Sequence, residues 1–110
     1  MLKKKERLTK KEFDRFFASG RRLHFPLFTT IFSPTPDFHA IVVVGKKVYK
    51  SAVDRNRLRR RLYNILYRLS RENELKGVYI VLTKPTAAKA NFAAMKAEME
   101  KMIINLNPNH

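Results

Sequence analysis

The sequence predicts a small α/β (α+β) sandwich in which helices pack on one mixed β-sheet. Stretches with the periodicity of amphipathic helices alternate with runs of β-branched and aromatic residues that are bounded by Pro and Gly. The chain has 110 residues, which is enough for one domain with a single modest core. We therefore expect one domain over residues 1–110, in the order helix, two or three strands, helix, strand, helix.

The first helix is predicted to begin at Thr9, because Thr9 and Glu12 have the spacing of a capping box. Three phenylalanines follow at helical spacing, namely Phe13, Phe16 and Phe17. Gly20 is expected to end this helix in the left-handed conformation. The basic residues 1–7 are expected to form a tail.

Two strands are predicted to follow. Residues 25–32 are rich in β-branched and aromatic side chains, and residues 33–37 have the Ser, Pro and Asp composition of a tight connection. Residues 38–44 are apolar on both alternating faces, which favours an interior strand of the sheet.

A long amphipathic helix is predicted to begin near Ser51, which stands three residues before Asp54 in a second capping pattern. Its apolar side chains recur at helical spacing and are Leu58, Leu62, Ile65, Leu66 and Leu69. The Lys76-Gly77 pair is expected to break this helix.

One strand and one helix complete the prediction. Residues 78–82 form a short apolar run typical of a buried strand, and Pro85 opens the next segment. The last helix is predicted over residues 87–104, with an apolar side made of Ala88, Phe92, Met95, Met99 and Met102. The tail 105–110 is expected to fray.

The composition points to a polyanionic partner. Lys and Arg total 24 against 9 acidic residues, a net charge of +15, so DNA, RNA or an anionic membrane is expected. The longest apolar run, residues 40–44, is far shorter than the roughly 20 residues that span a bilayer, so we expect a soluble protein and no membrane partner. The N-terminus lacks the pattern of a secretory signal, so a cytoplasmic location is expected. The absence of cysteine excludes disulfides, thiolate zinc sites and a cysteine nucleophile.

Basic residues crowd the start of the long helix, where eight of the sixteen residues from Lys46 to Arg61 are Lys or Arg. At 100° per residue, the side opposite the leucines carries Asn56, Arg57, Arg60 and Asn64, and Arg59 and Arg61 flank the leucines. Guanidinium groups suit phosphate oxygens. Tyr63 and Tyr67 are also expected on the outer side, where their rings could stack on bases.

An ordinary solvated helix face is the alternative interpretation. Such faces mix Glu with Lys, because oppositely charged pairs one turn apart support the helix. From Arg55 to Arg71 this helix has seven arginines and no acid. This excess of positive charge favours a surface that binds a negatively charged partner.

The stretch GKKVYKSAVDRNRLRRRLYN, residues 45–64, closely resembles the signature of the ribonuclease P protein family. The signature is a Lys-Lys pair after a strand, a short connection, and Arg-Asn-Arg-x-x-Arg-Arg at the start of a helix. The resemblance covers nearly the whole chain, because Phe13, Phe17, Gly20 and the predicted strand at residues 78–83 stand where the family has them.

The resemblance implies a left-handed crossover from one strand, through the long arginine-rich helix that begins near Ser51 (the arginine helix), to a neighbouring parallel strand. It also implies a non-catalytic subunit, because in this family a large RNA binds Mg²⁺ and cleaves precursor tRNA at the mature 5′ end. Contacts with that catalytic RNA are carried over to Lys46, Lys47, Arg55, Asn56, Arg57, Arg60 and Arg61. Arg59, which flanks the leucines, and the outer residue Asn64 complete the predicted site. We expect no cofactor on the protein alone and no obligate protein partner.

The family's second surface is a cleft between the first helix and the sheet, which holds the single-stranded 5′ leader of precursor tRNA. Phe13 and Phe17 match its aromatic positions, and stacking on a base contributes about 1–3 kcal/mol. Two or three aromatic residues at helical spacing are usually core residues, so for Phe13 and Phe17 both interpretations stay open, including one residue in the core and the other in the cleft. The histidines His24, His39 and His110 lack metal-ligand spacing, and no metal site is expected.

Three other classes of protein are considered: a protein-only nuclease, a ribosomal protein and a DNA-binding regulator. A protein-only nuclease would need clustered carboxylates or a positioned acid and base, yet only Asp54 lies within the basic region. That class is disfavoured. A ribosomal protein or a DNA-binding regulator would share the size, the charge and salt-sensitive binding.

Overall fold

The structure, a computed structural model, describes residues 8–106; the predicted basic tail 1–7 and residues 107–110 lie outside the described residues. Its elements are α1 (Lys10–Ser19), β1 (Arg21–His24), β2 (Phe28–Ser33), β3 (Phe38–Val43), α2 (Ala52–Asn73), β4 (Gly77–Thr83), a 3-10 helix (Pro85–Lys89) and α3 (Phe92–Leu106). The predicted order of helices and strands is confirmed. The third strand, which the sequence left optional, is β1.

The four strands form one mixed sheet in the order β1-β2-β4-β3. β2 pairs antiparallel with both β1 and β4, whereas β3 and β4 are parallel neighbours. A parallel pair requires a long crossover connection, and α2 provides it. The predicted fold class, helices packed on a small mixed sheet, is confirmed.

The sheet separates two apolar clusters. On one face, Tyr79 and Val81 of β4 lie in the main core together with side chains of α2 and α3. On the other face, Val78 and Ile80 of β4 join Ile31 of β2 in a smaller cluster under α1. Because alternate residues of a strand point to opposite faces, β4 is apolar on both sides and forms the centre of the fold.

The prediction that residues 38–44 form an interior strand is wrong, because β3 lies at the edge of the sheet. Its alternate residues Phe38, Ala40 and Val42 are buried in the main core, and this made the segment look central. The edge is partly closed by α2, since the backbone N–H of Val42 donates to the Tyr63 hydroxyl at 3.0 Å. A backbone group at an edge strand otherwise stays open to another chain.

Two glycines act differently from the sequence expectation. Gly20 follows α1 in an extended conformation, with φ of −73°, and not in the left-handed one. It is needed for close packing, because a Cβ there would overlap the Ile31 side chain and lie 2.8 Å from the Phe16 carbonyl oxygen. The left-handed helix end occurs at Glu74, with φ of 48°, so α2 stops before the Lys76-Gly77 pair that was expected to break it.

The predicted strand over residues 25–32 begins later, at Phe28, because Pro26 and Leu27 form the turn between β1 and β2. This turn is held by the end of β4 and by α3. The Lys84 backbone N–H donates to the Leu27 carbonyl oxygen at 2.8 Å. The Leu27 N–H in turn donates to the Glu98 carboxylate at 2.8 Å. Partial burial raises the pKa of that Glu98 carboxyl group.

The last predicted helix is divided into two. Residues 85–89 form the 3-10 helix, and α3 begins at Phe92 after Asn91, whose side-chain oxygen accepts from the Ala94 N–H at 2.8 Å. Met95, Met99 and Met102 are buried as expected, whereas Phe92 is 49% exposed. Fraying from residue 105 is contradicted, because α3 continues to Leu106, which is buried.

Candidate nucleic-acid interface

The start of α2 is fixed by its cap. The Ser51 hydroxyl accepts from the Asp54 backbone N–H at 3.4 Å, which satisfies one free donor of the first turn. The Asp54 carboxylate stands in that first turn, where the helix dipole favours negative charge. The predicted beginning of the arginine helix is therefore confirmed.

The connection from β3 to α2 is tied to α2 and to the 3-10 helix through Tyr49 and Lys50. Arg55 donates through Nη1 to the carbonyl oxygens of Tyr49, at 3.0 Å, and Lys50, at 2.6 Å. The Tyr49 hydroxyl donates to the Ala88 carbonyl oxygen at 3.2 Å, which joins the connection to the 3-10 helix. Arg55 therefore shapes the segment that displays the basic side chains before α2. The predicted contact residues Lys46 and Lys47 are exposed within it.

Between residues 56 and 64, the outward side of α2 carries five exposed polar side chains, which we call the arginine face: Asn56, Arg57, Arg60, Arg61 and Asn64. Arg59 is half-buried beside this face and donates through Nη1 to the Asn56 side-chain oxygen at 2.6 Å. The exposed side predicted from helical periodicity is thus present, and Arg61, which was expected to flank the leucines, is exposed with it.

Negative charge near the arginine face is scarce. Arg57 and Asp54 stand 3.9 Å apart, with side chains 58% and 47% exposed, and a surface pair of this kind contributes little. Within residues 8–106, no hydrogen bond or ion pair occupies the guanidinium groups of Arg60 and Arg61. The face therefore presents donors that a chain of phosphates can accept.

The opposite side of α2 anchors it. Leu58, Leu62 and Leu66 are buried against the sheet and α3. The expectation that Tyr63 points outward is wrong, because its ring is only 9% exposed and its hydroxyl holds β3. Tyr67 is half-buried and lies under the Arg71 guanidinium, 4.9 Å from the ring centroid. The buried side is wider than the leucine stripe because α2 contacts both β3 and α3.

The other predicted surface lies on the opposite face of the sheet, where α1 packs. Phe13, Phe16 and Phe17 are all half-buried against the cluster of Ile31, Val78 and Ile80. We call these three phenylalanines the aromatic face. Each ring therefore both covers the sheet and remains partly open to solvent, so neither interpretation of Phe13 and Phe17 excludes the other.

Two arginines cover rings of the aromatic face. Arg22 of β1 places its guanidinium 4.8 Å from the Phe17 centroid, and Arg15 stands 4.5 Å from that of Phe16. Phe17 also contacts Phe13, with centroids 5.4 Å apart. The sequence did not indicate the arginines, because Arg22 reaches Phe17 only when β1, a strand that it left unplaced, pairs beside β2.

The sheet beyond α1 stays partly open. Ile41 of β3 and Leu82 of β4 are half-buried there and contact the smaller cluster. His39 lies on the same face of β3, and its Nδ1 is buried without a hydrogen-bond partner among the described residues. Hydrogen bonds from Thr9, with a smaller effect of His39, lower the pKa of Glu12 at the start of α1.

The histidines are far apart. His24 lies in β1, with Nδ1 3.2 Å from the Thr29 hydroxyl, and His39 lies in β3, whereas His110 is outside the described residues. Within residues 8–106, no three His, Asp or Glu side chains are close enough to hold a metal ion. In the same part of the chain no helix has the length and apolar character that a membrane span requires.

Comparison with known proteins shows the family to which the chain belongs. The model of the family described as ribonuclease P matches residues 2–107. The chain belongs to the ribonuclease P protein family. A ribonuclease P protein component from Nitratiruptor sp. is 34% identical over 95 residues, which cover 86% of this chain and 85% of that protein. Another, from Microcystis aeruginosa, is 27% identical over 108 residues and covers 92% and 89% of the two chains.

Solved structures of the family share the fold. The ribonuclease P protein of Thermotoga maritima has a TM-score of 0.73 at 23% identity, over 88% of this chain and 94% of that one. The Staphylococcus aureus protein has a TM-score of 0.72 at 17% identity, over 89% and 92%. Family membership makes this chain the protein subunit of an endoribonuclease ribonucleoprotein of tRNA processing, so its partner in that particle is RNA.

Proposed function

We propose that this chain binds the catalytic RNA of ribonuclease P through the arginine face and the 5′ leader of precursor tRNA beside the aromatic face. The RNA and Mg²⁺ carry out the cleavage in this proposal. The protein positions substrate and neutralises phosphates. The observation that carries the proposal is the row of exposed guanidinium groups on a helix whose opposite side is buried in the core.

The catalytic-RNA site rests on charge and anchoring together. Arg57, Arg60 and Arg61 stand on one exposed side of α2, while Leu62 and Leu66 hold the helix in place. Because the helix backbone is already ordered, binding requires ordering of the side chains only, and the fixed spacing of the arginines sets the register of the phosphate contacts. Lys46 and Lys47 extend the basic surface at the start of α2, and Arg55 and Arg59 set its local shape.

The leader site rests on half-exposed aromatic rings. A single-stranded leader presents unstacked bases, and stacking on an aromatic ring tolerates any base sequence. Phe13 and Phe17 supply such rings, which are half-buried where α1 packs on the sheet. Arg22 lies over Phe17, where its guanidinium can stack on a base or meet the leader phosphate.

Mg²⁺ belongs to the RNA in this proposal. The ion prefers oxygen ligands and keeps several waters, an environment that phosphate oxygens supply. The chain acts on it indirectly, since arginines that neutralise phosphates lower the repulsion between RNA segments that must come together.

Cleavage by the reconstituted RNA–protein complex, measured on precursor tRNAs with a long and a short leader, tests the proposal. The catalytic RNA from the same organism is assayed at low Mg²⁺ on precursor tRNA carrying a leader of several nucleotides and on one carrying a single leader nucleotide. We expect the protein to raise kcat/KM for both substrates and to raise it more for the long leader. If cleavage of the long-leader substrate does not improve when the protein is added, the proposed function is wrong.

A further inference from the structure

A groove between α2 and α3 begins at Asn64, where the arginine face ends. It is open to solvent, and its lining residues are Asn64, Ile65, Arg68, Leu69, Glu72, Phe92 and Lys96. Ile65 and Leu69 are buried and form the apolar floor, while Phe92 is 49% exposed at the wall.

The groove continues the arginine face. Arg57, Arg60, Asn64 and Arg68 follow one another along α2 at steps of three, four and four residues, so they share one side of the helix. This row is about 16 Å long at the helical rise. It ends at Asn64 and Arg68, which both line the groove. An RNA strand lying along the arginine face would therefore reach the exposed ring of Phe92.

The charges around Phe92 match a nucleotide better than a protein segment. Arg68 and Lys96 line the groove with a single acid, Glu72. A second copy of this chain would bring a further net charge of +15 against the same surface, which opposes self-association there. An aromatic ring between two cations instead suits a nucleotide, because the base stacks on the ring and the cations bind the phosphate.

We infer that the groove receives one unpaired nucleotide of the RNA docked on the arginine face. Its base stacks on Phe92 above the floor of Ile65 and Leu69, and its phosphate lies between Arg68 and Lys96. This inference rests on the proposed function, since it concerns the same RNA. It adds a stacking site to a surface that otherwise acts through charge alone.

The test measures binding of the ribonuclease P RNA from the same organism to the full chain over a series of salt concentrations. Phe92→Ala should weaken binding roughly tenfold, because one base loses its stacking partner, and should leave the salt slope unchanged. Phe92→Tyr keeps a ring and should bind as the unchanged protein does. Ile104→Ala is the matched control, because Ile104 is 66% exposed on the same helix but does not line the groove.

Photo-crosslinking locates the nucleotide. A benzophenone side chain at position 92 should crosslink to one unpaired nucleotide of the RNA, and the same group at position 104 should not. Equal RNA affinity of Phe92→Ala and the unchanged protein would overturn the inference, while a loss in Arg57→Ala/Arg60→Ala would leave the proposed function standing. If both sets of variants bind normally, the proposed function fails too. Dissociation of a dimer by Phe92→Ala, seen by sedimentation, would show that a second copy occupies the groove.

Discussion

The arginine face and the aromatic face offer RNA two different kinds of contact. The arginine face consists of long charged side chains on an anchored helix, and its exposed members touch little of the protein itself. The phenylalanines of the aromatic face are half-buried and help to hold α1 on the sheet. The arginines can therefore be replaced without loss of core packing. The phenylalanines cannot, because the same rings that could bind RNA also pack on the sheet.

The largest expected effect is on the anchor of the arginine face. Leu62→Ala removes a side chain that is fully buried between α2 and the sheet. We expect the free energy of unfolding to fall by about 2–5 kcal/mol, measured by urea denaturation. RNA affinity, measured where the variant is still folded, should stay near that of the unchanged protein. A variant of unchanged stability would contradict the division of α2 into an anchoring side and a binding side.

The complementary change is Arg57→Ala/Arg60→Ala on the outer side of the same helix. We expect RNA affinity to fall roughly 100-fold at moderate salt and the salt slope to decrease by about two, since two phosphate contacts are lost. The urea midpoint should stay unchanged, because both side chains are exposed. Lys101→Ala, an exposed cation on α3, is the control for a mere loss of charge. A shifted midpoint would mean that the arginines also support the fold.

The aromatic face should give a mixed result. Phe17→Ala is expected to reduce the leader-dependent gain in cleavage roughly tenfold, because a stacking ring is lost. It should also lower stability, because Phe17 packs on the smaller cluster and lies between Phe13 and Arg22. Comparing a long-leader precursor with a single-nucleotide one separates the two effects. Equal losses on both substrates would show that Phe17 does not bind the leader.

The smallest effect concerns the cap that positions the aromatic face. Thr9→Ala removes half of a capping box and should destabilise the protein by about 1 kcal/mol. Hydrogen bonds from Thr9 hold the pKa of Glu12 below its ordinary value. The contribution of Glu12 is therefore present at neutral pH and is lost as the pH falls through its lowered pKa. Thermal melts from neutral to acidic pH should fall less steeply for Glu12→Gln, and an unchanged slope would contradict this cause.

The two faces also differ in how far the sequence predicts them. Charge imbalance and helical periodicity predicted the outer side of α2 from Asn56 to Asn64, because both are local properties. They misplaced Tyr63, since its environment depends on β3, which lies 21 residues earlier in the chain. The aromatic face stayed ambiguous for the same reason. Whether Phe17 is covered depends on Ile31 and on Arg22 of a strand that the sequence did not place.

The sequence by itself determined the order of elements, the capped starts of α1 and α2, the basic side of α2 and the family resemblance. These follow from spacing along the chain, which fixes the side of a helix or strand on which a residue lies. Tertiary structure alone decided that β3 is an edge strand, that Gly20 is required for close packing and that Phe92 closes a groove with α2. Those features arise from contacts between distant segments, and periodicity carries no information about which segments meet.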